Sequence, residues 1–150
     1  MRTSLAVLFV IATATPARAE DSVTGIFDVK FEEMASNCNP PPVALGRGKL
    51  TIEVNKKQNA LMVNTDLIPL LVGVPAKNGK INAKTNKIVG TTVVGLSGKY
   101  SVAGRVEGGM VQLVLVAEYI NQKDNKPFCT QSWNVNGART TDEPSAKDKK

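Results

Sequence analysis

The chain contains no histidine among its 150 residues. This absence removes the commonest general base, the commonest zinc ligand and the usual partner of a serine or cysteine nucleophile. Glu32 and Glu33 are adjacent in sequence, so on a strand they would point to opposite faces and could not act as a facing carboxylate pair. We therefore assign no catalytic residue and no metal site, expect no cofactor, and interpret the chain as a binding protein and not an enzyme.

Long apolar segments are also lacking. The apolar run at residues 5–12 is far shorter than the roughly 20 residues that a membrane helix needs. It follows the positive charge of Arg2 and precedes Ala-Arg-Ala at residues 17–19, the small-x-small form that signal peptidase reads. We predict that residues 1–19 are a signal peptide cleaved after Ala19. The protein is then expected to be periplasmic or secreted and not membrane-spanning.

Cysteine is limited to Cys38 and Cys129. Two lone cysteines in an oxidising compartment usually pair, so we predict a disulfide between them. Bridged cysteines have Cα atoms within about 7 Å of each other. Because Cys38 follows the first predicted strand and Cys129 lies in the last, the two ends of the β-structure would be neighbours.

The rest of the chain alternates apolar and polar residues with a period of two. Phe27, Val29 and Phe31 would share one face of the first strand, and no stretch after residue 19 shows a helical period. We predict an all-β fold, either an antiparallel up-and-down barrel or a sandwich, with about eight strands and one disulfide. One domain would cover residues 20–139, and residues 140–150, which lack apolar content, would form a disordered tail.

Turn signals and a further strand complete this interpretation. Asn78-Gly79 and Gly108-Gly109 are dipeptides typical of two-residue hairpin turns. We predict one more strand over residues 88–96. The segment at residues 67–75 is apolar on both faces apart from Pro69 and Gly73. It would be an internal strand if buried, and a partner or membrane contact if exposed.

A barrel of this size either fills its interior with side chains or holds one small molecule. The leading hypothesis is a non-catalytic protein that binds a small amphipathic or lipidic ligand inside the barrel. The same side chains would otherwise form a packed core. The residues predicted to line the interior are Phe27, Phe31, Tyr100, Met110, Leu113, Leu115, Tyr119 and Trp133.

Positive charge is concentrated in the middle of the chain. Residues 47–99 hold nine Lys and Arg residues but only two acidic residues. Such a charge favours an anionic partner or surface, although a charged edge also blocks sheet-to-sheet aggregation without any ligand. Nucleic acid is a poor candidate, because the protein is expected to be exported and only Tyr100, at the border of the stretch, is aromatic. The predicted basic edge comprises Lys77, Lys80, Lys84 and Lys87.

The basic edge supports an alternative function. The chain would then be a protein-interaction module of the cell envelope, or an inhibitor of a secreted hydrolase, that uses its loops and this edge. The two hypotheses differ in where the partner binds, since the first needs room inside the barrel.

One tripeptide and one arginine resemble features of lipocalins and avidins. Gly25-Ile26-Phe27 opens the first strand, and Arg139 follows the last. These families usually have tryptophan where Phe27 stands, and the second and third short lipocalin motifs are absent. The sequence is therefore assigned to neither family.

Overall fold

The computed structural model describes residues 23–75 and 77–140. The predicted signal peptide and residues 141–150 of the predicted tail lie outside these ranges. The described residues form nine strands and no helix. The strands are β1 Gly25–Ser36, β2 Arg47–Asn55, β3 Ala60–Thr65, β4 Ile68–Gly73, β5 Lys80–Lys84, β6 Val89–Gly90, β7 Leu96–Glu107, β8 Met110–Asn121 and β9 Pro127–Arg139.

These strands form a closed antiparallel barrel. The sheet order is β5-β4-β3-β2-β1-β9-β8-β7-β6, and a further pairing of β5 with β7 closes the sheet. Eight strands therefore make the barrel, with β6 as an addition alongside β7. The all-β prediction is confirmed, and of its two forms the up-and-down barrel is the one that occurs.

Alternation along each strand fills the interior. On β8, Gln112 and Glu118 face outward and are exposed, whereas every second residue points inward and is almost completely buried. Burial of an apolar side chain of this size contributes about 1.5 to 3 kcal/mol, so the interior rows dominate the stability of the fold. The inward row of β8 is Val111, Leu113, Leu115, Ala117 and Tyr119.

The first and last strands meet as predicted. β1 and β9 pair along most of their length, with a bulge at Met34. The predicted disulfide is confirmed: the Cys38 and Cys129 sulfurs are 2.03 Å apart and the Cα atoms 5.1 Å apart. The staple thus joins the end of the first strand to the start of the last.

The barrel has two unlike ends. One end, the turn end, carries the connections at residues 56–59, 77–79 and 108–109. The opposite end, the loop end, carries the connections at residues 37–46, 66–67, 85–95 and 122–126. The chain enters and leaves the barrel at the turn end, where Thr140, the first residue of the predicted tail, donates its N–H to the Ile26 carbonyl (2.8 Å).

Both predicted hairpin dipeptides form turns at the turn end. Asn78 and Gly79 have φ of 62° and 69°, and Gly108 and Gly109 have φ of 57° and 74°. Positive φ at both central residues matches the twist of the flanking strands. Gly79 is further constrained by space, because a Cβ there would lie 2.1 Å from the Val106 carbonyl oxygen.

The predicted strand over residues 88–96 is wrong for most of its length. Within this range only Val89–Gly90, as β6, and Leu96, the first residue of β7, lie in strands. The chain then turns, since the Leu96 N–H donates to the Val93 carbonyl (3.2 Å) and Gly95 has φ of 83°. The Thr91 hydroxyl bonds locally to Val93 and Leu96 carbonyls, which competes with extended pairing.

Candidate functional site

The interior brings together the predicted ligand-lining side chains, with one exception. Seven of the eight belong to a single buried cluster and expose at most 6% of their surface. Met110 does not: it is 47% exposed and lies on the outer face at the turn end. The prediction that Met110 lines the interior is therefore wrong, because the inward row of β8 begins one residue later, at Val111. Whether the other seven hold a ligand stays a prediction.

A polar cluster closes the interior at the loop end. Gln131 on β9 is 1% exposed and inward-facing. Its amide nitrogen donates to a Glu33 carboxylate oxygen (3.0 Å) and to the Val43 carbonyl (3.1 Å). Its amide oxygen accepts from the Tyr119 hydroxyl (2.9 Å) and from the Val43 N–H (3.4 Å). A buried amide with all these partners stabilises one arrangement of three segments, because losing any partner leaves a buried polar atom unpaired.

The two tyrosines pack beside Gln131. The rings of Tyr100 and Tyr119 lie 6.2 Å apart, edge to face at 89°. Burial raises the pKa of Tyr119 strongly, and the neighbouring Tyr100 and Glu33 raise it further. Burial also raises the pKa of Tyr100. Both hydroxyls therefore stay neutral at physiological pH and act in hydrogen bonding, not as proton acceptors.

The connection at residues 37–46 covers this end of the interior. Cys38, Val43 and Leu45 pack against the buried cluster. The disulfide holds one end of the connection, Gln131 holds its middle, and the Gly46 carbonyl accepts from the Phe31 N–H (2.7 Å) at its other end. The connection is thus fixed on the barrel at three points.

An apolar groove lies on the outer side of this connection. The groove has a volume of about 460 Å³ and runs across the loop end of the β8–β9 hairpin. The prolines at residues 40–42 form one wall, and Val93, Val94 and Leu96 form the other. Phe128 also lines it and is 53% exposed, and Val94 is fully exposed. We call this feature the rim groove.

The polar residues that line the rim groove are few. Asn39, Asn121 and Lys123 are its polar lining residues. The Asn121 side-chain oxygen accepts from the Lys123 N–H (2.9 Å), which fixes the turn that carries the lysine. Within the described part of the chain, no carboxylate lies within ion-pair distance of the Lys123 ammonium. The groove therefore combines apolar walls with one cation.

Sequence reasoning did not find the rim groove. Its walls come from three connections that are far apart in sequence and meet only because the barrel closes. The sequence offered two signals for this groove, the proline run at residues 40–42 and the apolar pair Val93-Val94. The second was missed because both valines were assigned to the predicted strand over residues 88–96.

The predicted basic edge lies on β5 and the connections that flank it. Lys80 and Lys84 point outward from β5, whereas Ile81 and Ala83 point inward. Lys77 and Lys87 lie in the neighbouring connections, and all four lysines are exposed. They therefore occupy one stretch of the outer wall, away from the rim groove.

The apolar segment at residues 67–75 has two faces. Ile68 and Leu71 are buried inside the barrel, as expected for an internal strand. Leu67, Leu70 and Val74 are exposed at 60%, 48% and 67%. Part of the segment is thus internal and part is exposed, and a partner or membrane contact at the exposed residues stays a prediction.

The comparisons with known proteins add no further assignment. No protein-family model, curated protein or solved structure matches the chain. Among the described residues, no group of three or more Cys, Asp or Glu residues is arranged to hold a metal ion. No helix in residues 23–75 and 77–140 is long and apolar enough to cross a membrane.

Proposed function

We propose that this protein is an exported, non-catalytic binding protein that takes a small anionic amphiphile in the rim groove. The observation that carries the proposal is the groove itself, an apolar cleft of about 460 Å³ with Lys123 on its border. Small-molecule sites are concave and mostly apolar, with a few polar groups that orient the ligand. The prolines and valines would bury the ligand's hydrocarbon part, and Lys123 would face its anionic group.

The rim groove is built to keep its shape without a ligand. The disulfide and the Gln131 hydrogen bonds fix the proline wall, and backbone bonds from Gln122 to Gly95 (2.9 Å) and from Leu96 to Val93 (3.2 Å) fix the opposite side. A preformed cleft binds more tightly, because less ordering entropy is lost on association. Val94 and Phe128 are exposed apolar side chains that line the same groove, and an exposed apolar patch supports a role in binding.

The rim groove is favoured over the barrel interior. An interior ligand would have to displace side chains that already pack together and are buried almost completely. Interiors packed to crystal density do not take in an extra group without strain. We therefore retain the amphipathic ligand of the leading hypothesis but propose that it binds in the rim groove, on the outer side of residues 37–46, and not inside the barrel.

Export is part of the same proposal. The disulfide supports it, because structural disulfides persist in oxidising compartments. Mass spectrometry of the protein recovered from a secreting host is expected to give a chain that begins at Glu20 and is two hydrogens lighter than the reduced form. A chain retaining residues 1–19 would contradict export by this route.

Ligand binding is tested by titrating the isotope-labelled protein with octanoate, octanol and acetate. Octanoate has both the anion and the chain, and each of the other probes has one of them. We expect octanoate to bind most tightly and to shift the amide signals of Val94 and Phe128. Val94→Asp should weaken octanoate binding at least about tenfold, since it places a like charge in the groove.

Met110→Asp is the matched control. It introduces the same carboxylate in place of an exposed apolar residue at the turn end, so octanoate binding should be unchanged. Quenching of Trp133 fluorescence, with shifts at Leu115 and none at Val94, would place the ligand in the interior. Equal affinity for octanoate and acetate would contradict an amphipathic ligand.

A further inference from the structure

The barrel has few strand-pairing residues between β4 and β5. We call this junction the seam. β4 pairs with β3 from Ile68 to Gly73, but it pairs with β5 only through Val72 and Gly73. No described strand pairs with residues 68–71 on the side that faces β5. Four of the six residues of β4 therefore have an unpaired edge on this side.

The unpaired edge arises because the chain stops running beside β4 after Lys84, the last residue of β5. The Thr85 N–H donates to the Tyr100 carbonyl (2.9 Å), and the Tyr100 N–H donates to the Thr85 hydroxyl (3.1 Å). Both bonds hold Thr85 on β7, and residues 86–88 are exposed. The strand resumes along β7 as β6, where Val89 pairs with Gly98. The seam is thus bordered by β4 on one side and by residues 85–90 on the other.

The side chains along the seam are apolar and cationic. Leu67, Leu70 and Ile88 are each about half exposed or more. Lys84, opposite Val72, and Lys87 lie on the other border and are also exposed. Within the described ranges neither lysine has a carboxylate at ion-pair distance. Lys80 lies directly opposite Arg105 on the same outer wall, and Arg105 forms an ion pair with Glu107 (3.5 Å).

We propose that residues 68–71 are a docking edge for an extended acidic segment of a partner protein. An unpaired strand edge is a template for another strand, and peptides that add a strand gain affinity from main-chain hydrogen bonds. Pro69 offers only its carbonyl to such a partner. Alternate side chains of the partner would contact Leu67, Leu70 and Ile88, and its carboxylates would face Lys84 and Lys87.

Charge separates this partner from a second copy of the chain. A symmetric dimer places the same patch of both copies in contact, so Lys84 and Lys87 would face the same lysines. Like charges across an interface cost several kcal/mol. An acidic segment satisfies the apolar residues and the lysines together. This surface is separate from the rim groove and does not depend on the function proposed for it.

The experiment uses an octapeptide of alternating Glu and Val with the isotope-labelled, disulfide-bonded protein. Binding is expected to shift the amide signals of Leu70 and Leu71. It should slow the hydrogen exchange of the one whose N–H points to the unpaired edge, because successive N–H groups of a strand point to opposite sides. The same peptide N-methylated at alternate amides should bind at least about tenfold more weakly, because it lacks main-chain donors. Equal binding of the N-methylated peptide would overturn strand addition.

Charge reversal at two pairs of lysines tests the location. Lys84→Glu with Lys87→Glu should lower affinity for the peptide at least about tenfold. Lys56→Glu with Lys57→Glu is the matched control, since it makes the same change in net charge in an exposed turn at the opposite end. Equal loss in both double variants would overturn a defined site in favour of diffuse attraction.

A membrane is the competing partner for an apolar and cationic surface. Vesicles containing phosphatidylglycerol that shift the signals of Leu70 and Ile88, while the peptide shifts neither, would overturn the proposal. Val94→Asp should leave peptide binding unchanged. Unchanged affinity of this variant for the peptide would show that peptide binding does not depend on the rim groove.

Discussion

The turn end and the loop end of the barrel differ in how their interiors are closed. The interior near the turn end is apolar, and Arg139 lies over the Phe27 ring, 5.4 Å from its centroid. Near the loop end lie both buried tyrosines and the two buried polar residues of the described chain, Gln131 and Thr65. Tight turns close the first end, whereas the second has a disulfide and a buried side-chain hydrogen-bond cluster in addition to its backbone bonds.

Exposed apolar residues follow the same division. Val74 and Met110 are exposed near the turn end, while Leu67, Ile88, Val93, Val94 and Phe128 are exposed near the loop end. Apolar side chains that remain exposed contribute little to folding. The two ends therefore differ in how much apolar surface they leave exposed, and both proposed binding surfaces include residues exposed near the loop end. A cross-linked connection is one way to hold such an end in place.

Removing the disulfide should have the largest effect on stability. The bridge spans 91 residues, and the chain-entropy relation gives such a loop about 4 to 5 kcal/mol at most. In urea titrations, the double variant Cys38→Ser with Cys129→Ser should have a free energy of unfolding that is lower than that of the wild-type protein by up to this amount. Hydrogen exchange should rise first at Val43, at the loop end, and last at Val106, whose N–H donates to Gly79 at the turn end (2.8 Å).

Reduced wild-type protein is the control for this variant and should behave in the same way. Equal loss of protection at Val43 and Val106 would show that the bridge stabilises the whole barrel and not the loop end. That result would remove the distinction between a cross-linked end and a backbone-fixed end.

Glycine substitutions should separate the two ends next. Gly79→Ala puts a Cβ 2.1 Å from the Val106 carbonyl oxygen at a φ of +69°, so it should cost about 1 to 3 kcal/mol. Gly46→Ala at the loop end has no atom within 4 Å of the added Cβ and no positive φ. It should stabilise the fold by about 0.4 to 1 kcal/mol through the unfolded chain.

Urea titrations of the two single variants measure this difference directly. A similar loss in both would mean that residues 37–46 depend on glycine geometry as the turn end does. A neutral Gly79→Ala would show that the turn at residues 78–79 moves away from Val106 on β7 easily, so that this turn does not fix the turn end.

Much of the barrel could be predicted from the sequence, because strand alternation and turn dipeptides are determined by residues that are close together in the chain. The period of two at Phe27, Val29 and Phe31 sets which residues point inward, and Asn78-Gly79 sets a turn without reference to the rest of the chain. The disulfide followed from the compartment and from there being only two cysteines. A barrel and a sandwich share these signals, so only the observed pairing of β5 with β7 separates them.

The loop end could not be predicted in the same way, because its features depend on long-range contacts. Gln131 is polar, yet it is buried because Glu33, Val43 and Tyr119 supply its hydrogen bonds. Val93 and Val94 follow the pattern of a strand, but the Thr91 hydroxyl and Gly95 turn the chain. The rim groove and the seam at residues 68–71 are products of closure and have no motif of their own.

Ionisation of the tyrosines should give the smallest effect, and it reports on the loop end alone. Tyr100 and Tyr119 are the chain's two tyrosines, and burial raises the pKa of each above the ordinary value of 10.0. The unfolded chain therefore loses these protons at lower pH than the folded chain. The contribution of the two tyrosines to stability should be constant below about pH 10 and should fall above it, by up to about 1.4 kcal/mol per pH unit for each tyrosine. Tyr119→Phe should flatten this dependence in urea titrations, and the absorbance of wild-type protein at about 295 nm should rise only as it unfolds. Absorbance that rises near pH 10 in the folded protein would instead show that the interior of the loop end is open to water, and that the covering connection does not seal it.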